Sequence, residues 1–190
     1  RFHGPARRHW YLSDGGHFEN TGVYELLRRR VPHVLCCDCG ADPEYDFGDL
    51  ANLVRKARID FDAEVRFVSR HQLRQAAAHQ KLALPKTLLS HIGLPIDFSE
   101  HKADGKQPHA VLAAVHFGHS QPGETEFALL LFLKPALSGD EPLDVWEYDA
   151  QRKDFPQEST ADQFFDEAQW ESYRKLGEHT AASVLTSAPN

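Results

Sequence analysis

The chain has 190 residues, 41% hydrophobic and 26% charged, with a formal net charge of −7. This composition can build a core and excludes a compositionally disordered chain, while the acidic balance argues against a dedicated nucleic-acid binder, which would carry a basic face. The longest apolar run, Phe127 to Leu133, is far shorter than the ~20 residues that span a bilayer, and no secretory pattern opens the chain. Methionine is absent and the first residue is Arg1. A longer parent is therefore expected, with residues 1–190 as one domain forming its C-terminal portion.

In chain order, His9 to Ser13 reads as a short strand. Asn20 to Arg30 reads as a helix with Val23, Leu26 and Leu27 on one stripe, and the basic Arg28, Arg29 and Arg30 complement its C-terminal dipole. Pro32 closes it. Val34 to Cys39 is the next strand, Phe47 to Ile59 a second helix with its stripe at Leu50, Leu53, Val54 and Ala57, and Glu64 to Val68 a third strand. Residues 1–69 thus read as a βαβαβ unit, with successive crossovers in a parallel sheet covered by helices.

Residues 70–108 form an irregular connection. Arg70 to Ala83 fits either a helix or a loop, and Pro85, Gly93, Pro95, Gly105 and Pro108 interrupt the remainder of this segment. Residues 109–190 hold two strong strands, His109 to Phe117 and Glu126 to Lys134, joined as an antiparallel hairpin by the turn-rich GHSQPGET. Helices follow the hairpin, and the terminal one is long. Thr160-Ala-Asp-Gln163 has capping-box spacing, with Phe164, Phe165, Ala168, Leu176 and Thr180 on the inward stripe.

Cys36, Cys37 and Cys39 crowd into VLCCDCGAD and include a formal C-x-x-C. On a strand Cys36 faces one side and Cys37 and Cys39 the other, so the thiols cannot converge. Core thiols in a reducing compartment are expected, with no metal and no cofactor. None of the ten serines lies in G-x-S-x-G; the nearest decoy, Gly118-His119-Ser120-Gln121-Pro122, sits in the hairpin loop. The twelve histidines lack helical H-x-x-x-H spacing: His101, His109, His116 and His119 read as solvated or hydrogen-bonded, and His17 is notable only for its closeness to Asp14. Among the acids, Asp42, Glu44, Asp46 and Asp49 suit the entrance of the second helix, and Asp162, Asp166, Glu167 and Glu171 suit the wet face of the last one. Asp14 has no such role. Two glycines come after it, permitting positive φ or close approach of another group, at a strand end where ligand sites of open α/β sheets lie. A plain tight turn fits the same three residues.

Asp14-Gly15-Gly16 resembles the aspartate block of the patatin-like phospholipases, and YLSDGGHFENTGVYELLRRR, DLANLVRKARIDF, LKPALSGDEPLDVWEY and FPQESTADQFFDEAQWESYRKLG resemble bacterial members of that family. The resemblance covers most of the chain and is weakest from Arg70 to Pro108. It implies a partial three-layer α/β/α fold and a Ser-Asp dyad without histidine. Asp14 would be the catalytic acid-base and Gly15 and Gly16 its supporting loop. The G-x-S-x-G serine and the oxyanion loop would come from an upstream segment of the parent, so this chain alone would hold half an active site. A phospholipid or acyl-ester substrate is implied, as is location on the cytoplasmic side, with membrane association through the parent. A non-catalytic interaction or scaffolding domain that retains the fold is the competing expectation.

Overall fold

Two segments carry apolar residues on both faces, AVLAAVHF and FALLLFL, and these form the interior of the sheet. In the computed structural model, which describes residues 8, 12–80, 86–98, 107–121, 123–159 and 161–185, the strands are β1 (His33–Cys37), β2 (Ala63–Phe67), β3 (Ile92–Gly93), β4 (Ala110–Phe117) and β5 (Phe127–Leu133). The helices are α1 (Val23–Arg28), α2 (Gly48–Phe61), α3 (Arg70–His79), α4 (Lys86–His91), α5 (Leu143–Gln151) and α6 (Glu167–Leu185). The sheet order is β1-β5-β4-β2, with the short β3 beside the start of β4.

The expected antiparallel hairpin is β4–β5, in register from Ala110 opposite Leu133 to His116 opposite Phe127. The expected crossovers are corrected. β1 is parallel to β5, and β2 is antiparallel to β4, so β1 and β2 run in the same sense but the hairpin separates them. Burial explains the insertion. β1 and β2 each bury only part of their surface, which suits strands at the margins, whereas β4 and β5 can be covered on both faces. The first expected strand, His9 to Ser13, falls largely outside the described residues. Leu12 and Ser13 are not in a strand, and Leu12 is 85% exposed.

One face of the sheet packs Val34, Cys36, Val111, Val115, Leu130 and Phe132 against Val23 and Leu27 of α1 and Leu50, Leu53 and Ala57 of α2. On the other, Ala110, Leu133 and Ile92 pack with Val184 of α6 and with Leu73 and Leu88 of α3 and α4. A third cluster joins Val145 and Tyr148 of α5 to Phe155 and Leu176.

Local chemistry sets the ends of these elements. Asp42 accepts from the backbone N–H of Asp46 and Phe47 at 2.9 and 3.0 Å, fixing the entrance to α2. α3 is helical because Ser69 and Gln72 make a reciprocal capping box. α6 begins later than the spacing around Thr160 implies, and Thr160 itself lies outside the described residues. Asp166 accepts from Gln169 N at 2.8 Å at the helix entrance. The buried stripe is Gln169, Ser172, Leu176, Thr180 and Val184; Phe164 is 94% exposed, and Phe165 and Ala168 are also outside. α5 is one of the helices expected after the hairpin, although no stripe or cap in the sequence marks its bounds.

Arg30 leaves the helix rather than completing it. With φ at 53°, its guanidinium donates to Ser120 Oγ at 2.7 Å and to the carbonyl of Thr125 at 3.1 Å, and lies over the Phe117 ring. It pins the hairpin loop. Gly118 is fixed by the same corner: its N–H donates to Asp62 O, and a Cβ there would overlap the Asp62 carboxylate, 2.7 Å from its Cγ. No helix among the described residues is long and apolar enough to cross a membrane.

Candidate active site

Asp14 heads a 3-10 turn over Gly15–His17, and its Oδ1 accepts from Gly16 N at 2.8 Å. The whole segment from Leu12 to Phe18 is exposed. Neither glycine adopts positive φ, so the conformational reason offered by the sequence does not apply. Close approach does apply at Gly16, where a Cβ would stand 2.8 Å from Asn20 Oδ1 and 3.2 Å from Asp14 Oδ1. At Gly15 nothing lies within 4 Å of that position.

The turn is docked on α2 by a polar stripe. Asn20 Nδ2 donates to Asp49 Oδ2 at 2.8 Å, Asn52 Nδ2 donates to the carbonyl of Phe18 at 3.0 Å, and Lys56 Nζ stands 3.8 Å from the centre of the Phe18 ring. Residues 49, 52 and 56 share one helical face. The spacing is visible in the sequence, but an apolar stripe elsewhere on the same helix makes this face read as solvated surface. On the inner side, Glu19 is buried and accepts from Thr21 N and Tyr24 N at 2.8 and 3.3 Å, tying the turn to the first turn of α1.

The segment after β1 reaches the same end of α2. Asp38 follows that strand and Lys134 follows β5. Lys134, 1% exposed, donates to Asp38 Oδ2 at 2.8 Å and to Gly40 O at 3.1 Å, and Asp42 Oδ2 stands at 3.5 Å. Gly40 in turn faces Asp49 and Asn20, its missing Cβ falling 3.5 Å from Asp49 Oδ2 and 3.9 Å from Asn20 Nδ2. A buried lysine between two carboxylates thus anchors the Asp38–Asp42 segment, whose Gly40 lies beside Asn20. In the sequence Lys134 has the look of an ordinary polar strand end, and nothing there marks its role.

Ser13 Oγ is 3.1 Å from His17 Nδ1, but that nitrogen is also 3.2 Å from the backbone carbonyl of Asp14, and the Asp14 carboxylate is turned to Gly16. The three side chains do not form a relay. His119 pairs with Asp62 at 2.8 Å on the surface, and His116 is exposed; His101 lies outside the described residues.

The cysteines follow the strand alternation, with Cys36 on the inner side and Cys37 and Cys39 on the outer. Cys36 is a core thiol, and burial pushes it up to about 12, whereas Cys37 and Cys39 are exposed, which corrects the expectation of three core thiols. All three are free. A cavity of about 650 Å³ opens between the loop before α2 and α5, with Tyr45, Trp146, Lys153 and Phe155 in its wall; Asp14 does not line it. Comparison with protein-family models, curated proteins and solved structures finds no match to this chain.

Proposed function

We propose that this chain is the aspartate-bearing part of a patatin-like lipid acyl hydrolase, with Asp14 as the base for a serine supplied by an upstream segment of the parent. The observation that carries the reading is the placement of Asp14: an exposed carboxylate on a glycine-paved turn that α2 holds through Asp49 and Asn52. In the reaction, the serine hydroxyl loses its proton to the Asp14 carboxylate as its oxygen attacks the ester carbonyl. The alcohol leaves with that proton and an acyl-enzyme remains; water, deprotonated by the same carboxylate, then releases the acid. The open side at Gly15 leaves room for serine and acyl chain. Helices on both faces of the sheet are compatible with part of a three-layer α/β/α fold. The substrate would be a phospholipid or related acyl ester, met at a membrane surface through the parent.

A second reading has its own observation. Asp14 Oδ1 caps its own turn through Gly16 N, which is what an aspartate does in a plain turn of an interaction domain. Asparagine separates the two, because its side-chain oxygen can accept the same bond but cannot take a proton from serine. In the full-length parent, Asp14→Asn should lower hydrolysis of a p-nitrophenyl acyl ester about a hundredfold to ten-thousandfold while leaving the melting temperature unchanged. Residues 1–190 alone should show neither hydrolysis nor fluorophosphonate labelling. Full activity of Asp14→Asn would remove the hydrolase reading and leave the turn.

A further inference from the structure

His109, the residue before β4, is 0% exposed, and neither of its ring nitrogens has a hydrogen-bond partner. An imidazole so placed leaves two polar atoms desolvated and unpaired, a state that folded proteins avoid. Its backbone gives it no freedom to turn away: its N–H donates to His91 O at 2.8 Å and its carbonyl accepts from Lys134 N at 3.1 Å.

The surroundings are rich in metal ligands. His179 of α6 meets the His109 ring edge to face at 5.6 Å, and its Nε2 lies 2.9 Å from Oδ1 of Asp140, in the segment between β5 and α5. One ligand atom each from His109, Asp140 and His179 lies within 4.8 Å of the others. Asp140 is itself oriented by Ser138, whose hydroxyl donates to Oδ1 at 2.5 Å, the kind of outer contact that holds a ligating carboxylate. His91 is stacked on His109 at 4.8 Å with the planes 19° apart. It contributes no ligand atom to that group and acts as a wall.

We propose that His109, Asp140 and His179 form a site for a divalent transition metal, zinc by the donor set, with a water as fourth ligand. Two neutral imidazoles and a carboxylate suit Zn²⁺ and satisfy an orphaned nitrogen of His109. At Zn–N and Zn–O distances of about 2.0–2.2 Å, tetrahedral ligand atoms lie about 3.4 Å apart. The widest separation therefore needs to close by no more than about 1.5 Å, while the 2.9 Å His179–Asp140 pair opens slightly. With three protein ligands the fourth position stays open to water, and the ion would also have a mechanical role. It would clamp α6 and the segment after β5 to the start of β4, three parts of the chain otherwise joined there by the small cluster of Ile92, Ala110, Leu133 and Val184. None of the three ligands belongs to the Asp14 turn, so this site and the hydrolase reading stand or fall separately. Spacing along the chain gives no sign of a metal, because the three ligands come from three distant segments.

The test uses the untagged 190-residue chain, stripped with chelator and titrated with Zn²⁺ by calorimetry, with Co²⁺ as a spectroscopic probe. One equivalent should bind with micromolar or tighter Kd, and Co²⁺ should give the visible absorption of a four-coordinate ion. The melting temperature should rise about 5–10 °C when zinc is about a hundredfold above Kd. Asp140→Asn and His179→Ala should each weaken binding at least tenfold, and His116→Ala should not change it. His109→Phe should abolish binding yet melt at or above the metal-free wild type, since it replaces unpaired nitrogens by carbon. Binding weaker than about 100 μM, or one-equivalent binding that persists in Asp140→Asn and His179→Ala, would overturn the proposal.

Discussion

Lys134→Met tests whether the buried ion pair holds the end of the sheet. In the wild type the ammonium is 1% exposed and bonds Asp38 at 2.8 Å and Gly40 O at 3.1 Å, with Asp42 at 3.5 Å. Methionine fills most of the volume but, among the described residues, leaves Asp38, whose side chain is 7% exposed, with only the Gly40 N–H on its other oxygen. It also leaves Asp42 facing Asp38 with no cation between them. Removing one partner of a buried pair costs about 3–5 kcal/mol, a large share of the roughly 5–15 kcal/mol that stabilises a domain. For a chain of this size each kcal/mol moves the melting point by about 2–4 °C, so a fall of roughly 6–20 °C is expected. Urea unfolding monitored by circular dichroism gives the free energy, and Asp38→Asn completes a double-mutant cycle. The double variant should recover stability relative to Lys134→Met alone, because no buried carboxylate is then left at position 38. A loss below about 1 kcal/mol in Lys134→Met, or strict additivity in the cycle, would refute the reasoning.

With a thiol reagent at pH 8, Cys37 should react first and Cys39 more slowly, since desolvation of its sulfur and the nearby Asp38 carboxylate raise its thiol although the residue is exposed, while Cys36 should react only on unfolding. Because the folded Cys36 thiol keeps its proton up to about 12, the native state binds more protons than the unfolded one between about 8.5 and that value. Stability should be intact below this window and fall as pH rises through it, measured by urea unfolding across the range. Gly118→Ala should destabilise by about 1–3 kcal/mol, as its Cβ would meet Asp62 O at 2.9 Å and run into the Asp62 carboxylate. Gly15→Ala, with nothing within 4 Å, should leave the melting point unchanged.

How much of the fold is legible depends on the range over which its causes act. The hairpin can be read because its two strands and loop are contiguous and strongly apolar. The same apolar content, present on both faces of AVLAAVHF and FALLLFL, also indicates the centre of a sheet. Taken that way, it displaces β1 and β2 to either side. The crossover pattern correctly makes β1 and β2 run in one sense, but sense does not fix adjacency. At α6 the capping pattern around Thr160 points to the wrong turn: Asp166 supplies the cap, and exposed Phe164 and Phe165 mimic an inward stripe.

The site divides in the same way. Asp14, Gly16 and Asn20 are near neighbours in the chain, so their mutual contacts are a local matter, and the Asp49–Asn52–Lys56 face that receives them is a simple helical spacing. Lys134 and Asp38 are different, being 96 positions apart. Nothing in either neighbourhood marks a buried charge, because a lysine after an apolar strand ordinarily lies at its wet end. Register supplies what spacing lacks. Once Cys37 stands opposite Leu133, and Ala110 opposite Leu133 on the other side, the next row across the sheet is Asp38, Lys134 and His109, held by Asp38 N to Leu133 O at 2.9 Å and Lys134 N to His109 O at 3.1 Å. One row thus carries both the Lys134–Asp38 ion pair and the buried imidazole facing α6. A charged residue at the end of a central strand is therefore a reason to ask which polar residues its register neighbours bring beside it, before it is assigned to solvent.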